Sequence, residues 1–156
     1  MTKRDNSMTG AAGVFYVCFE LCRRGYIPMP TIRDSAGVDI LMSSADGSKV
    51  VDIQVKTTTK RKWWLNKKAE TLVADSLFYS FVELPDDGGT PRCHIVPSAA
   101  VADYVRKGYA DWLAAPGKHG QPHNANPGRD FRDEGDAYLD RWDLLEAVKR
   151  AGGIEP

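Results

Sequence analysis

No run of apolar residues approaches the roughly 20 that a membrane-spanning helix requires, and no basic-then-apolar segment of the export type opens the sequence. A surplus of one charge is also missing, because 21 Lys and Arg balance 21 Asp and Glu. A net charge of zero supplies no long-range attraction for phosphate, so any contact with nucleic acid has to come from a local basic patch. Cysteine is scarce as well. Cys18, Cys22 and Cys93 are odd in number and lack Cys-x-x-Cys spacing, which fits a reducing compartment better than a disulfide framework. Cys18 and Cys22 lie one helical turn apart and are expected to pack as small apolar groups. No internal repeat is present. These absences point to a cytoplasmic protein that does not enter a membrane.

What is present fits a single globular domain spanning residues 1–156. The 156 residues are enough to bury one core and too few for two domains of ordinary size. Apolar residues at 42% and charged residues at 27% are close to globular averages. Residues 1–9 are polar and aperiodic and are expected to form a flexible arm. From Gly10 to Arg24, Ala11, Val14, Phe15, Val17, Cys18, Leu21 and Cys22 recur at helical spacing, and Gly25 closes the segment. The apolar arc of this helix centres near Cys18, with Tyr16, Glu20 and Arg23 on the far side. Tyr26–Arg33, with two prolines, reads as an extended edge strand.

The stretch from Gly37 to Thr58 reads as two strands joined at Asp46-Gly47, a pair suited to a tight hairpin. On the second strand Val51, Ile53 and Val55 fall on one face and Asp52, Gln54 and Lys56 on the other. After it, Lys60, Arg61, Lys62, Lys67 and Lys68 surround Trp63 and Trp64. Two readings are open for this segment. It is either a solvated loop whose tryptophans plug the core, or a phosphate-contacting patch with aromatics that stack on bases.

Leu77–Leu84 and Arg92–Val96 form a second hairpin across a long Pro- and Gly-containing loop. His94, a lone histidine in a strand, reads as structural. Ser98 is the expected N-cap of a helix from Ala99 to Lys107, closed by Gly108. Residues 114–137 form a long loop; His119 and His123 within it have no cysteine or regular element beside them, so no metal site is expected there. Tyr138–Ala151 reads as a last helix, with Leu139, Trp142, Leu145 and Val148 on one stripe.

The residues suited to chemistry are those of the first hairpin. Phosphodiester hydrolysis calls for a hard cation, and such ions take oxygen ligands. Asp39 supplies an anionic oxygen, while the Gln54 amide and a strand carbonyl such as that of Val55 supply neutral ones. Lys56, on the same face, is placed to orient water or to offset charge developing on phosphate. The bland alternatives are a turn-capping Asp39 and a structural ion pair between Lys56 and Asp52. Charged groups on a central hairpin carry a desolvation cost that packing alone does not favour.

Gly37-Val38-Asp39, followed on the next strand by Asp52-Ile53-Gln54-Val55-Lys56, resembles the PD-(D/E)XK nuclease superfamily in its Gln-x-Lys form, as in Holliday-junction-resolvase-like and Mrr-like members. The motif proline is here Val38 and its acidic residue is Gln54. More widely, Gly10–Gly13, Glu20–Tyr26, Ile53–Thr57, His94–Ser98 and Tyr138–Leu145 resemble a family of small uncharacterised bacterial proteins. The resemblance implies an α/β (α+β) fold of restriction-endonuclease type, with a central mixed sheet of four to five strands flanked by helices.

It also implies an endonuclease that uses Mg2+ or Mn2+ on DNA, in a defence, repair or mobile-element setting. Asp39 and Gln54 would hold the metal, Lys56 would assist catalysis, and a homodimer would be possible. Relatives place a helix glutamate after the Gly-Ala-Ala-Gly run, where this chain has Val14, and Glu20 is the nearest acid on that helix. Val14 favours an alternative, a catalytically inactive nucleic-acid-binding module of the same fold. A further alternative is a protein-interaction subunit whose tryptophans contact a partner chain; its binding would lack the steep salt dependence of phosphate contacts.

Overall fold

The computed structural model describes residues 5–35 and 37–148. Its elements are α1 (Asn6–Arg23), β1 (Tyr26–Ser35), β2 (Val38–Ser44), β3 (Val50–Thr58), β4 (Trp63–Asn66), β5 (Leu77–Glu83), β6 (Arg92–Pro97), α2 (Ser98–Ala114), β7 (Gly128–Phe131) and α3 (Asp143–Glu146). A short 3-10 turn, Lys67–Glu70, follows β4. The main sheet has five strands in the order β1-β2-β3-β5-β6, and β4 and β7 form a separate two-stranded ribbon. β3 and β5 run parallel and the other neighbours in the main sheet run antiparallel. This is the mixed, helix-flanked sheet expected from the sequence, with the proline-containing β1 at an edge.

Period-two alternation decides what each face of the sheet holds. Val51, Ile53 and Val55 are buried with Ile40, Met42, Phe78 and Ile95 in a core that α1 covers, joined by Trp142 and Leu145. The other face carries Tyr79, Phe81 and Val96, packed against Trp63, Leu65 and Phe131 of the ribbon and Val101 and Val105 of α2. β5 is buried along nearly its whole length because both layers cover it.

Helix α1 begins earlier than the sequence reading places it. Asp5 accepts the Met8 backbone N–H at 2.7 Å and caps the helix, so residues 6–9 form its first turn rather than an arm. Residues 1–4 of that expected arm lie outside the described residues. The buried face is also rotated, since Gly13, Val17, Glu20 and Leu21 point inward while Phe15, Phe19 and Cys22 are exposed. The cause is a close approach at Gly13, where a Cβ would stand 1.8 Å from Thr57 Oγ1 on β3. Only a glycine face can come that near, and this contact sets the rotation of the helix.

Glu20, placed on the far side of the wheel, is therefore buried at 7% exposure, where Arg23 and Arg24 both donate to its carboxylate. Burial raises the pKa of this carboxyl, but the hydrogen bonds and charges of Arg24 and Arg23 outweigh burial and hold it below the usual range. A group with a depressed folded pKa contributes stability that is present above its unfolded pKa and is lost as pH falls through the folded value. Glu20→Gln is thus expected to lower stability at neutral pH and to flatten the acid side of the stability profile. Urea unfolding at neutral and acid pH measures both, and an unchanged acid limb would contradict it.

Three other expected elements differ. The connection between β2 and β3 spans residues 45–49, because the ladder ends at Ser43 opposite Val50. Asp46 orders that loop by accepting from the Ser44 hydroxyl and from the Ser48 N–H and hydroxyl, which brings its pKa down to about 2. Helix α2 runs past Gly108 to Ala114, a glycine inside a helix costing only about 1 kcal/mol. Ser98 does not cap α2; its hydroxyl donates to the Ala74 carbonyl and accepts from the Ala74 N–H, tying α2 to the chain before β5.

Among the described residues at the C-terminal end, only Asp143–Glu146 is helical. Residues 138–140 are held instead along β6, where Ile95 donates to the Tyr138 carbonyl at 2.9 Å and Asp140 donates to the Cys93 carbonyl at 2.8 Å. An open strand edge wins over helical periodicity there, although Trp142 and Leu145 still reach the core. Residues 149–151 of the expected helix lie outside the described residues. Within 114–137, read as loop, Gly128–Phe131 pairs with Trp63–Asn66.

Candidate functional site

The polar face of β3 looks toward the ribbon. Gln54 stands beside Tyr79 and Lys56 beside Phe81 in the β3–β5 register. A cleft of about 660 Å³ opens here. Gln54 and Lys56 form its floor, and Trp64, Asn66, Lys68 and Leu72 line its other side. Lys56 and Trp64 also border a second cleft of about 350 Å³, where Thr57–Thr59 meet Asn6 and Thr9 from the first turns of α1.

Asp39 reaches the same part of β3 from β2. Its Oδ2 accepts the Val55 backbone N–H at 2.7 Å, so the carboxylate is fixed at the Gln54–Val55 peptide. The ladder of the two strands ends one residue earlier, at Ile40 opposite Ile53, and the Asp39 side chain continues the bonding. Gly37 lies close to the Gln54 amide. Its φ of +82° is a left-handed conformation that glycine adopts without strain, and a Cβ there would meet Gln54 Nε2 at 3.4 Å. Asp39, Gln54 and Lys56 are therefore held on one patch of sheet, while Asp52 lies farther along β3, opposite Leu41.

The basic segment divides between the two readings residue by residue. Trp63 is 1% exposed and Trp64 is 67% exposed, because adjacent side chains on β4 point to opposite faces. Trp63 cannot stack on a base: its indole N–H donates to the Val82 carbonyl at 3.0 Å and its ring packs near Phe81 and His94. Trp64 stands at the cleft mouth with the Lys62 ammonium 4.2 Å from its ring centre. Lys60, Lys67 and Lys68 are exposed, and Lys62 is half-buried and also faces Asp130 at 3.6 Å. Arg61 is drawn elsewhere, to the Asp133 carbonyl and the Asp136 carboxylate, and so serves the fold.

Glu20 does not join this site. It lies seven residues beyond Gly13, about 10 Å along the helix at the standard rise, and is engaged by two arginines of which Arg24 covers the Trp142 ring. Val14, at the position where relatives carry an acid, packs against the α1 core.

A second gathering of charge lies behind Trp63, where one ligand atom each from His94, Asp133 and Asp136 falls within 4.8 Å of the others. The His94 Nδ1–H donates to Asp133 at 2.8 Å, and Asp133 also accepts the N–H groups of Ala137 and Tyr138. Asp136 accepts from Arg92 and Arg61, and the Arg92 hydrogen bond above all holds its pKa below the usual range. Asp136 is thus already paired with two guanidiniums. The cluster is best accounted for as an ion-paired tie between β6 and the segment after β7, in keeping with a structural His94.

Sequence reasoning misses one further feature. Tyr104, Gly108 and Trp112 fall on one stripe of α2 and face β7 and Trp64 across a cleft of about 490 Å³. The signal is their i, i+4, i+8 spacing, which is lost if the helix is stopped at Gly108.

The fold is that of an α/β protein with a five-stranded mixed sheet flanked by helices. Among solved structures it is similar to a bacterial homing endonuclease, I-Ssp6803I, with a TM-score of 0.54, 8% sequence identity and coverage of 92% of both chains. At that identity the likeness is one of fold. No protein-family model and no curated protein matches the sequence. No helix among the described residues is long and apolar enough to cross a membrane.

Proposed function

We propose that the protein is a Mg2+- or Mn2+-dependent DNA endonuclease of the PD-(D/E)XK type, working at the cleft over Gln54 and Lys56. The observation that carries this reading is that Gln54 and Lys56 of β3 line a cleft bordered by exposed Trp64 and Lys68, while Asp39 of the neighbouring β2 is bonded to the Val55 N–H between them. The likeness in fold to a homing endonuclease supports it.

The donor set fits a hard cation. Asp39 brings carboxylate oxygen and Gln54 an amide oxygen, and Mg2+ characteristically takes one or two carboxylates together with waters and substrate phosphate. When bound, the cation supplies charge against a phosphate oxygen and a more acidic water. The Val55 N–H orients the Asp39 carboxylate, and Lys56 puts a positive charge where negative charge builds on the phosphate. Lys60, Lys67, Lys68 and Trp64 hold the DNA backbone at the rim. Cutting both strands of a duplex takes two such sites, so the reading includes a pair of chains.

Purified protein with Mg2+ or Mn2+ is expected to cut at least one of linear duplex, branched or single-stranded DNA; failure on all three with both metals defeats the proposal. A second prediction isolates the metal. Saturating Mg2+ should raise the Tm of the wild type by several degrees. Asp39→Asn keeps an acceptor for the Val55 N–H but loses the charge, and should abolish that rise with the metal-free Tm little changed. Differential scanning calorimetry decides, and an undiminished rise in Asp39→Asn refutes the assignment.

The core-packed Val14 favours a second reading, a DNA-binding module without catalysis. That module binds DNA through Lys60–Lys68 with steep salt dependence and gains neither stability nor affinity from Mg2+.

A further inference from the structure

The cleft between α2 and β7 is assembled with care that the proposed chemistry on β3 does not require. Trp112 is stacked between Tyr109, at 5.7 Å between ring centres, and His123, at 4.1 Å. Tyr109 is itself fixed twice. Its hydroxyl accepts the Asn126 backbone N–H at 2.9 Å, and the Arg129 guanidinium lies 3.3 Å from its ring centre. Arg129 is buried at 4% exposure, bonded to Glu70 and to the Asn126 and Gly128 carbonyls. Across the opening stands Trp64, which borders this cleft and both clefts at Lys56.

We propose that this cleft receives an unpaired nucleobase, so that the substrate is DNA with a single-stranded or extruded nucleotide close to the bond presented to Lys56. The inference rests on the nuclease reading above and adds the substrate class to it. The exposed ring of Trp64 suits a base better than a sugar or an aliphatic chain, because every base presents a π-face for stacking. A cavity of about 490 Å³ lies within the range of small-ligand pockets. Gly108 leaves the helix wall without a side chain, with nothing within 4 Å of the position its Cβ would take.

The rim offers polar selection as well. Lys62 and Arg132 each face Asp130 at 3.6 Å, and Asp130, shared between them, offers an acceptor to a base amino group. Trp64 is the common wall that lets one strand continue from this cleft to Gln54 and Lys56. A fully paired duplex cannot use the cleft, since its bases are stacked inside the helix and would first have to be extruded.

The test is binding without turnover, by fluorescence anisotropy in chelator, using three fluorescein-labelled duplexes of the same sequence. One is fully paired, one carries a single unpaired adenine, and one carries an abasic residue at that position. Wild-type protein is expected to bind the unpaired-adenine duplex about tenfold more tightly than the other two. Trp64→Ala should remove that preference and Trp64→Phe, which keeps a stacking face, should retain it. Equal wild-type affinity for the adenine and abasic duplexes overturns the inference and leaves the nuclease reading standing. A preference that survives Trp64→Ala, or an equal loss on all three duplexes in that variant, also overturns it. Absence of binding to any duplex overturns both readings together.

Discussion

Replacing Lys56 with alanine is expected to reduce metal-dependent DNA cleavage about a thousand-fold while leaving the Tm and DNA affinity close to wild type. The size follows from the role proposed for the ammonium. A donor aimed at charge that develops in the transition state is worth about 3–4 kcal/mol when removed, and each 1.4 kcal/mol is about a factor of ten in rate. Little stability should be lost, because Lys56 is half-buried at the cleft floor rather than packed within either core. The adjacent core residues, Val55 and Phe81, are set by the strand and not by the lysine stem. Single-turnover cleavage separates this chemical effect from binding. A Lys56→Ala enzyme retaining a tenth or more of wild-type cleavage would remove Lys56 from the mechanism, and a matching loss of DNA affinity would make it a rim contact.

Gly13 carries the second large effect. At an unobstructed helix interior, Gly→Ala stabilises by about 1 kcal/mol. Here the added Cβ would lie 1.8 Å from Thr57 Oγ1 and 2.9 Å from Thr57 Cβ, so Gly13→Ala is expected to destabilise by about 3 kcal/mol, as overpacking in a dense core does. For a chain of this size that corresponds to a Tm lower by about 10 °C. Thr57→Ala removes the nearer atom, and the double variant should recover part of the loss but not all of it, because the Cβ contact remains. Calorimetry on the two single variants and the double variant closes the cycle. A stabilised Gly13→Ala would mean that α1 sits farther from β3 than described.

The elements legible in the sequence are those whose pairing is local. The β2–β3 and β5–β6 hairpins announce themselves by alternation on either side of a turn, and the polar face of β3 follows from the same period of two. The ribbon is not legible, because its four-residue strands are far apart in the chain and are held mainly by Trp63, Leu65 and Phe131 entering the second core. The open choice over the two tryptophans has a physical answer of the same kind: once Trp63–Asn66 is a strand, one ring must be inside and its neighbour outside. Glu20 misleads a helical wheel because the wheel equates burial with apolar character. Arg23 and Arg24, one turn away, neutralise the acid and let it turn inward. The aromatic stripe on α2 is hidden by Gly108, a residue that ends many helices but continues this one since Val101 and Val105 anchor it from below.

The arrangement of β4 also makes the protein its own reporter. Of its four tryptophans, Trp63 and Trp142 are sealed in the two cores, at 1% and 5% exposure, whereas Trp64 is open to solvent at 67%. Dissolved quenchers such as iodide or acrylamide will therefore sample chiefly the indole that stands where the clefts meet, with Trp112 as a half-shielded second source. Unlabelled protein thus emits a signal from the rim of its candidate site, against a steady background from its interior.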